Sequence, residues 1–541
     1  MKKYLLSLFA LILPLLNFAQ EATTSEKIDA VFKKYTGWFV EGIFYEIPFS
    51  EDYKIPWVLI VLIGGALFFT FYFKFINITG FKTAIKVVQG KYEDIEKHGA
   101  DTLYGDSTPN EGGDIIETIR DEGADGEVSH FQALTAALSA TVGLGNIAGV
   151  AVALSIGGPG ATFWMIIAGL LGMASKFAEC TLGVKYRDVG DDGTVYGGPM
   201  YYLSKGLRSK GMGGFGKVLA VIFAVFVIGG SFGGGNMFQA NQAAAQFTKL
   251  FNFESDNAGM YFGLVMAALV AVVIIGGIKR IASVTEKIVP FMAGIYVLAA
   301  LIILGANFTL IDDAFALIFE GAFSGLGIAG GLVGVMIQGI RRGAFSNEAG
   351  VGSAAIAHSA VRTKYPASEG IVALLEPFVD TVVICTMTAL VIVITNFDGS
   401  FMEYGVEIKE GVEITATAFD SVIPHFSIVL TIAVILFAFS TMISWSYYGM
   451  QGWVYLFGKG KASDLAYKVL FLVFVVIGAS ISLGAVIDFS DAMIFAMVVP
   501  NIIGVVLLSP IIRNELKKYY KAINVKEEAI EEGADDLNEV L

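Results

Sequence analysis

Between positions 139 and 146 the sequence reads Ser139-Ala-Thr-Val-Gly-Leu-Gly-Asn146, inside a long apolar run. Gly143 and Gly145 are two residues apart and cannot line one face of a helix, while Thr141 and Asn146 set polar groups beside them. A helix that unwinds here frees backbone N–H groups, which can hold a carboxylate, and C=O groups, which can hold a cation. The chemistry this serves is joint capture of an amino acid and a sodium ion. Helix packing is the competing reading, and it is stronger for the second glycine-rich stretch, Gly325-Leu-Gly-Ile-Ala-Gly-Gly331 with Gly334. There Gly327/Gly331 and Gly330/Gly334 keep the four-residue spacing of a close-contact face.

Ionisable residues inside apolar runs are the next suspects, because a charge in the bilayer is costly unless it is used or paired. Glu376 and Asp380 stand four apart on one face of an apolar run. They could relay protons, pair with Arg341 and Arg342 to gate the inner side, or serve as structural pairs. Lys176 and Glu179, three apart, read as a pair within one helix. Cys180 and Cys385 are the two cysteines, both in apolar runs, and the four histidines lack ligand spacing, so neither a disulfide framework nor a metal site follows and no cofactor is implied. No His lies near a membrane Ser, Cys or paired Asp in sequence, which disfavours an intramembrane enzyme; a channel is disfavoured by two glycine-broken helices.

The elements that must position these residues are set by composition. Of 541 residues 55% are hydrophobic and 16% charged, with a mean hydropathy of +0.68, against roughly 25% charged in soluble domains. The chain is therefore an all-α polytopic membrane protein with the lipid bilayer as its partner. The net charge of −14 is local: residues 93–127 carry twelve Asp/Glu, and residues 527–541 carry seven with no Lys or Arg. The remainder is slightly basic, so the acidity belongs to two solvated appendages and says nothing about nucleic acid.

Met1-Lys2-Lys3 followed by an apolar run to Leu16 and Asn17-Phe18-Ala19 reads as a signal peptide, residues 1–19. Eleven apolar runs near the ~20 residues needed to cross a bilayer follow, at about 56–78, 131–155, 159–184, 217–250, 258–277, 283–306, 325–343, 367–395, 425–457, 465–486 and 490–512. Lys and Arg collect in alternate connections, from Lys185 and Arg187 through Lys205, Arg208, Lys279, Arg280, Arg341, Arg342, Arg362 and Lys364 to Arg513 and Lys517, whereas 251–257, 307–322, 396–424 and 487–489 contain Lys409 alone. The basic side is expected to be cytoplasmic, placing the protein in the plasma (inner) membrane with its C-terminus in the cytoplasm. The expected division is an extracytoplasmic segment 20–55, an extra helix 56–78, an acidic cytoplasmic insert 79–130, a five-helix repeat 131–306, an outer connection 307–324, a second, inverted repeat 325–512 and an acidic tail 513–541. Each repeat opens on its glycine-broken helix, the arrangement of inverted-repeat transporters with a midplane site.

Five stretches together carry a family resemblance: Ala140-Thr-Val-Gly-Leu-Gly-Asn-Ile-Ala-Gly-Val-Ala151, Gly197-Gly-Pro-Met-Tyr-Tyr202, Arg342-Gly-Ala-Phe-Ser-Asn-Glu-Ala-Gly-Val-Gly-Ser353, Glu376-Pro-Phe-Val-Asp-Thr381 with Cys385-Thr386, and Phe439-Ser-Thr-Met-Ile-Ser-Trp-Ser-Tyr-Tyr-Gly449. Over about residues 56–515, in this order, the chain resembles the alanine or glycine:cation symporter family. The resemblance implies a LeuT-type five-plus-five fold and sodium-coupled uptake of a small neutral amino acid such as alanine or glycine. It departs from the family in the acidic stretch of about 35 residues after Lys91 and in Leu144, where many relatives have Thr. By the same resemblance the sodium ligands are the backbone carbonyls of Ser139, Val142 and Phe437 and the hydroxyls of Ser440 and Thr441; back-bonding of those hydroxyls within their own helix is the alternative.

For the substrate the expected residues are the N–H groups of Gly143, Leu144 and Gly145, with Thr141, Asn146, Phe238, Gln239 and Gln338, and Trp445 as a steric lid one helical turn past Thr441. Gln239 could equally be interhelical hydrogen-bonding glue, and Trp445 a core or interfacial residue. Coupling to protons through Glu376 or Asp380 stays open as the alternative to sodium.

Overall fold

A computed structural model describes residues 24–49, 54–93, 95, 128–190, 193–253, 255, 257–324, 331–406 and 411–531. The signal-peptide reading, most of the acidic insert, glycines 325 to 330 and the last ten residues lie outside the described residues.

The described chain is almost wholly helical. Seven helices are long and apolar enough to cross a membrane: Ala161–Lys185, Gly213–Leu250, Gly277–Ala306, Pro366–Thr395, Phe426–Phe457, Lys461–Ser480 and Val486–Glu527. An eighth is a broken span, His130–Thr141 followed by Gly145–Gly157, bent by 51° at the break. Trp57–Tyr72 and Ala258–Ile274 are shorter apolar helices, and Gly331–Asn347 is a 17-residue helix ending in polar residues.

The first broken helix starts sharply because Ser129 and Gln132 form a reciprocal capping box that satisfies two of its free N–H groups. It stops at Val142, whose ψ of 88° leaves the helical region. The Asn146 side chain accepts from the Gly143 N–H at 2.8 Å and so replaces the lost helical bond. A π-helical turn, Gly145–Gly149, then restarts the helix. Three more π turns occur, at Tyr202–Gly206, Gly233–Met237 and Phe378–Cys385.

Of the glycines expected to break the second span, those at 325–330 lie outside the described residues. From Gly331 the helix runs unbroken to Asn347, and Gly339 is a packing residue: a Cβ there would meet the Ala161 carbonyl oxygen at 2.4 Å. The chain opens at Glu348–Ser353, where Glu348, Gly350 and Gly352 have φ of 54°, 84° and 94°, before the short helix Ala354–His358. No side chain fits at Gly350 or Gly352 without strain.

One end of the bundle gathers the basic connections: Val128 pairs with Val361 and Arg187 donates to the carbonyls of Ser359 and Val361. The first broken helix starts at this end and reaches Gly157 at the other, where a Cβ on Gly157 would meet Gln338 at 3.3 Å. Arg341 and Arg342 follow Gln338 by one turn. They therefore sit between the far end and the second break, not on the basic end where counting Lys and Arg had placed them.

Candidate substrate and ion site

The two breaks face each other across a narrow cavity of about 10 Å³, room for little more than one water molecule. Ala140, Thr141 and Gly145 line it from the first broken helix, Phe345, Ser346 and Glu348 from the second, Gly234 and Gln239 from Gly213–Leu250, Trp445 from Phe426–Phe457 and Ile494 from the final span. Of the residues expected to hold substrate, Thr141, Gly145, Gln239 and Trp445 line the cavity directly. Gln239 accepts from the Leu144 N–H at 3.3 Å and donates to the Gly234 carbonyl at 2.9 Å, so it braces the unwound peptide. Leu144 is fully buried. Gly143 is enforced by space, since a Cβ there would stand 2.6 Å from the Thr441 hydroxyl oxygen.

Gly143 and Leu144 do not line the cavity, and three further expected residues have other positions. Phe238 stands behind the lining, edge-on to Phe345 with ring centroids 5.5 Å apart. Gln338 lies beside Gly157, away from the cavity. Asn146 points away from the lining: its amide donates to the Asp380 side chain at 2.7 Å and backbone at 3.0 Å. Asp380 also accepts from Ser346 at 2.9 Å and Thr381 at 2.7 Å, so this one carboxylate ties together both broken helices.

The residues expected to hold sodium converge. The Ser139 hydroxyl donates to the Ser440 carbonyl at 2.7 Å and the Thr441 hydroxyl to the Ser139 carbonyl at 3.0 Å. Ser440 back-bonds to the Phe437 carbonyl at 3.0 Å, and Val142 follows at the end of the same helix. Two hydroxyls and several carbonyls within one helical contact form the all-oxygen donor set that a hard cation requires. The Thr441 hydroxyl bonds across to the first broken helix, whereas the Ser440 hydroxyl bonds back within its own helix, the alternative named above.

Two residues not singled out from sequence complete the site. Glu348, at the second break, accepts from the Trp445 indole at 3.0 Å and from Ser353 at 2.5 Å, fixing the Trp ring against the cavity. Asp491 pairs with Arg341 at 2.7 Å and with Arg342. This replaces the expected pairing of the two arginines with Glu376 and Asp380. Arg342 lies over the cavity-lining Phe345 ring and Arg341 over Phe44, at 5.3 and 4.2 Å, and Phe44 meets Phe495 at 5.6 Å. The arginines thus lie next to the cavity lining, on the side away from the basic end.

Toward the basic end runs a file of buried charge. Lys176 pairs with Glu376 at 2.9 Å, both fully buried; Glu376 lies 3.5 Å from His358, His358 2.5 Å from Glu369, and Glu369 contacts His130. Lys176 therefore pairs across helices, while Glu179 accepts from Asn501 at 2.9 Å.

Comparison with known proteins agrees with this architecture. Residues 113–532 match the model of the sodium:alanine symporter family. A relative from Methanococcus maripaludis named sodium/alanine symporter AgcS is 40% identical over 86% of this chain and 94% of its own. One from Bacillus subtilis, named "Probable sodium/glutamine symporter GlnT", is 32% identical over 85% and 87%. Among solved structures, a crystal structure of MhsT in complex with L-phenylalanine aligns with a TM-score of 0.53 at 16% identity, over 71% of this chain and 89% of that one. At that identity the likeness speaks for the fold alone, the LeuT type.

Proposed function

Because the chain belongs to the sodium:alanine symporter family, whose activity is sodium-coupled amino acid symport, we propose that it carries alanine and glycine into the cell and that the cavity between the two breaks is the substrate site. The observation that carries this is the meeting of Thr141 and Gly145 at the first break, Gln239 and Trp445 around one cavity, with the Ser139–Thr441 oxygen pair in the same two helices. In this reading the carboxylate is received at Gly145, at the positive end of the restarted helix, while Asn146 and Gln239 hold the Gly143 and Leu144 N–H groups. Ser139, Val142, Phe437, Ser440 and Thr441 hold the ion. Since Gly143 lies against Thr441, a filled ion site props the unwound peptide in the shape that binds substrate, and this is the coupling. Asp380 sets the angle between the broken helices, and the Arg341/Arg342–Asp491 pairs close the outer path.

A tenfold inward sodium gradient contributes ~1.4 kcal/mol and 100 mV of membrane potential ~2.3 kcal/mol per charge. One ion moving with a zwitterion then accumulates it several hundredfold. Labelled alanine in proteoliposomes should accumulate under an inward sodium gradient and equilibrate without accumulation when potassium or choline replaces sodium. Uptake driven equally by a proton gradient without sodium would favour the buried His130–Glu369–His358–Glu376 file as the coupling path.

Relatives are named for both alanine and glutamine, so substrate size is set by lining residues. Trp445 fills the cavity wall, and each methylene excluded from a tight site is worth about 1–3 kcal/mol. Wild-type protein should therefore carry alanine and glycine and hardly any leucine, and Trp445→Leu should admit larger side chains with sodium dependence intact. Competition of labelled alanine uptake by a series of unlabelled amino acids checks this; an unmoved profile removes Trp445 from the specificity wall.

A further inference from the structure

Outside the transport site, a concave surface lies at the basic end, between the last turn of Trp57–Tyr72 and the final helix. It holds about 530 Å³ and is lined by ten residues, among them Tyr72, Lys74, Arg513, Lys517, Tyr520 and Lys521. Four of those ten are cations. Arg513, Lys517 and Lys521 are spaced by four along one continuous helix, so they form a single row of about 12 Å, and Lys74 faces it from a turn in which Lys74 and Phe75 both have left-handed φ, 56° and 58°. Among the described residues none of the four has an acidic partner. The nearby carboxylate of Glu527 is engaged by Lys86, Lys91 and Tyr92 at 3.1, 3.0 and 2.9 Å.

The remaining wall is aromatic and aliphatic, and Phe71, Phe75 and Ile78, beside it, are 63%, 44% and 72% exposed. These rings sit where an apolar span ends, at the level at which hydrocarbon gives way to headgroups. A cationic row over an apolar, membrane-level groove matches an amphiphile with a negative head and acyl tails. A free phosphate or nucleotide would use the row and leave the apolar wall idle. We propose that this groove binds an anionic phospholipid, with its phosphate along Arg513, Lys517 and Lys521 and its tails against Phe71, Tyr72 and Phe75.

The test uses the full chain purified in detergent. Binding is read by native mass spectrometry and thermal stability on adding phosphatidylglycerol, phosphatidylcholine or inorganic phosphate. Phosphatidylglycerol should be retained and stabilising where the other two are not, and the triple variant Arg513→Gln, Lys517→Gln, Lys521→Gln should bind it at least roughly tenfold more weakly, since each basic residue near the surface contributes to holding anionic lipid. The charge-preserving set Arg513→Lys, Lys517→Arg, Lys521→Arg should keep binding, as should Lys217→Gln, Arg280→Gln, Lys287→Gln, which removes as much charge from exposed positions elsewhere. Equal response to phosphatidylcholine, equal response to inorganic phosphate, or equal loss in the remote set would each overturn the assignment.

Discussion

Replacing Lys176 by methionine is expected to destabilise the folded protein by about 3–5 kcal/mol, because it leaves the Glu376 carboxylate in the interior without its cation. Both partners are fully buried and 2.9 Å apart, and the other close cationic candidate, His358, stands 3.5 Å from Glu376 and is already engaged by Glu369. Purified Lys176→Met should show a much lower thermal midpoint and poor monodispersity. The double variant Lys176→Met, Glu376→Leu removes both charges and should recover most of the loss. A single variant as stable as wild type would mean that Glu376 does not depend on Lys176.

The second large effect is expected at Gly143, where stability and function separate. A methyl group there lies 2.6 Å from the Thr441 hydroxyl and 3.4 Å from the Gln239 carbonyl oxygen. It must push the hydroxyl off the Ser139 carbonyl or shift the peptide that receives substrate, and such overpacking typically costs about 1–3 kcal/mol. Gly143→Ala should raise the sodium concentration for half-maximal alanine uptake by roughly tenfold or more. Thr441→Ala, which deletes the hydroxyl without adding bulk, should have a similar effect. Their combination should be less than additive, because the second change relieves the clash made by the first. Sodium titrations of labelled uptake by the three variants decide this; purely additive losses would separate Gly143 from the ion site.

The first break was legible because the rule that found it is geometric: glycines two apart beside Thr141 and Asn146 cannot serve one helix face. The same rule applied to the second half points to Gly350 and Gly352, again two apart, beside Asn347 and Glu348. The dense glycines at 325–330 lie outside the described residues, and at Gly339 the purpose is contact with Ala161. Glu348 escaped notice because a carboxylate next to a supposed connection carries no penalty that would single it out. Asp491 stood two residues from a short connection and could pass as interfacial. That it faces Arg341 and Arg342 depends on how the final span packs against Gly331–Asn347, and no periodicity within either helix encodes that. Glu376 and Asp380 illustrate the limit of face arguments: four apart on an ideal helix they share a face, but the π turn from Phe378 changes the phase, and one pairs with Lys176 while the other holds Asn146.

The contact between Gly235 and Trp445 restricts how this sequence can change over time. A Cβ at position 235 would lie 2.2 Å from Trp445 Cγ, so the indole occupies the volume that any other residue at 235 would need. Substitutions at the two positions are therefore ordered. A lineage in which Trp445 first becomes smaller passes through a protein with a roomier cavity and can afterwards refill it from position 235, whereas a lineage that begins at Gly235 meets a collapsed core at its first step. Descendants with altered cargo should accordingly carry change at 445 alone or at both positions, and not at 235 alone.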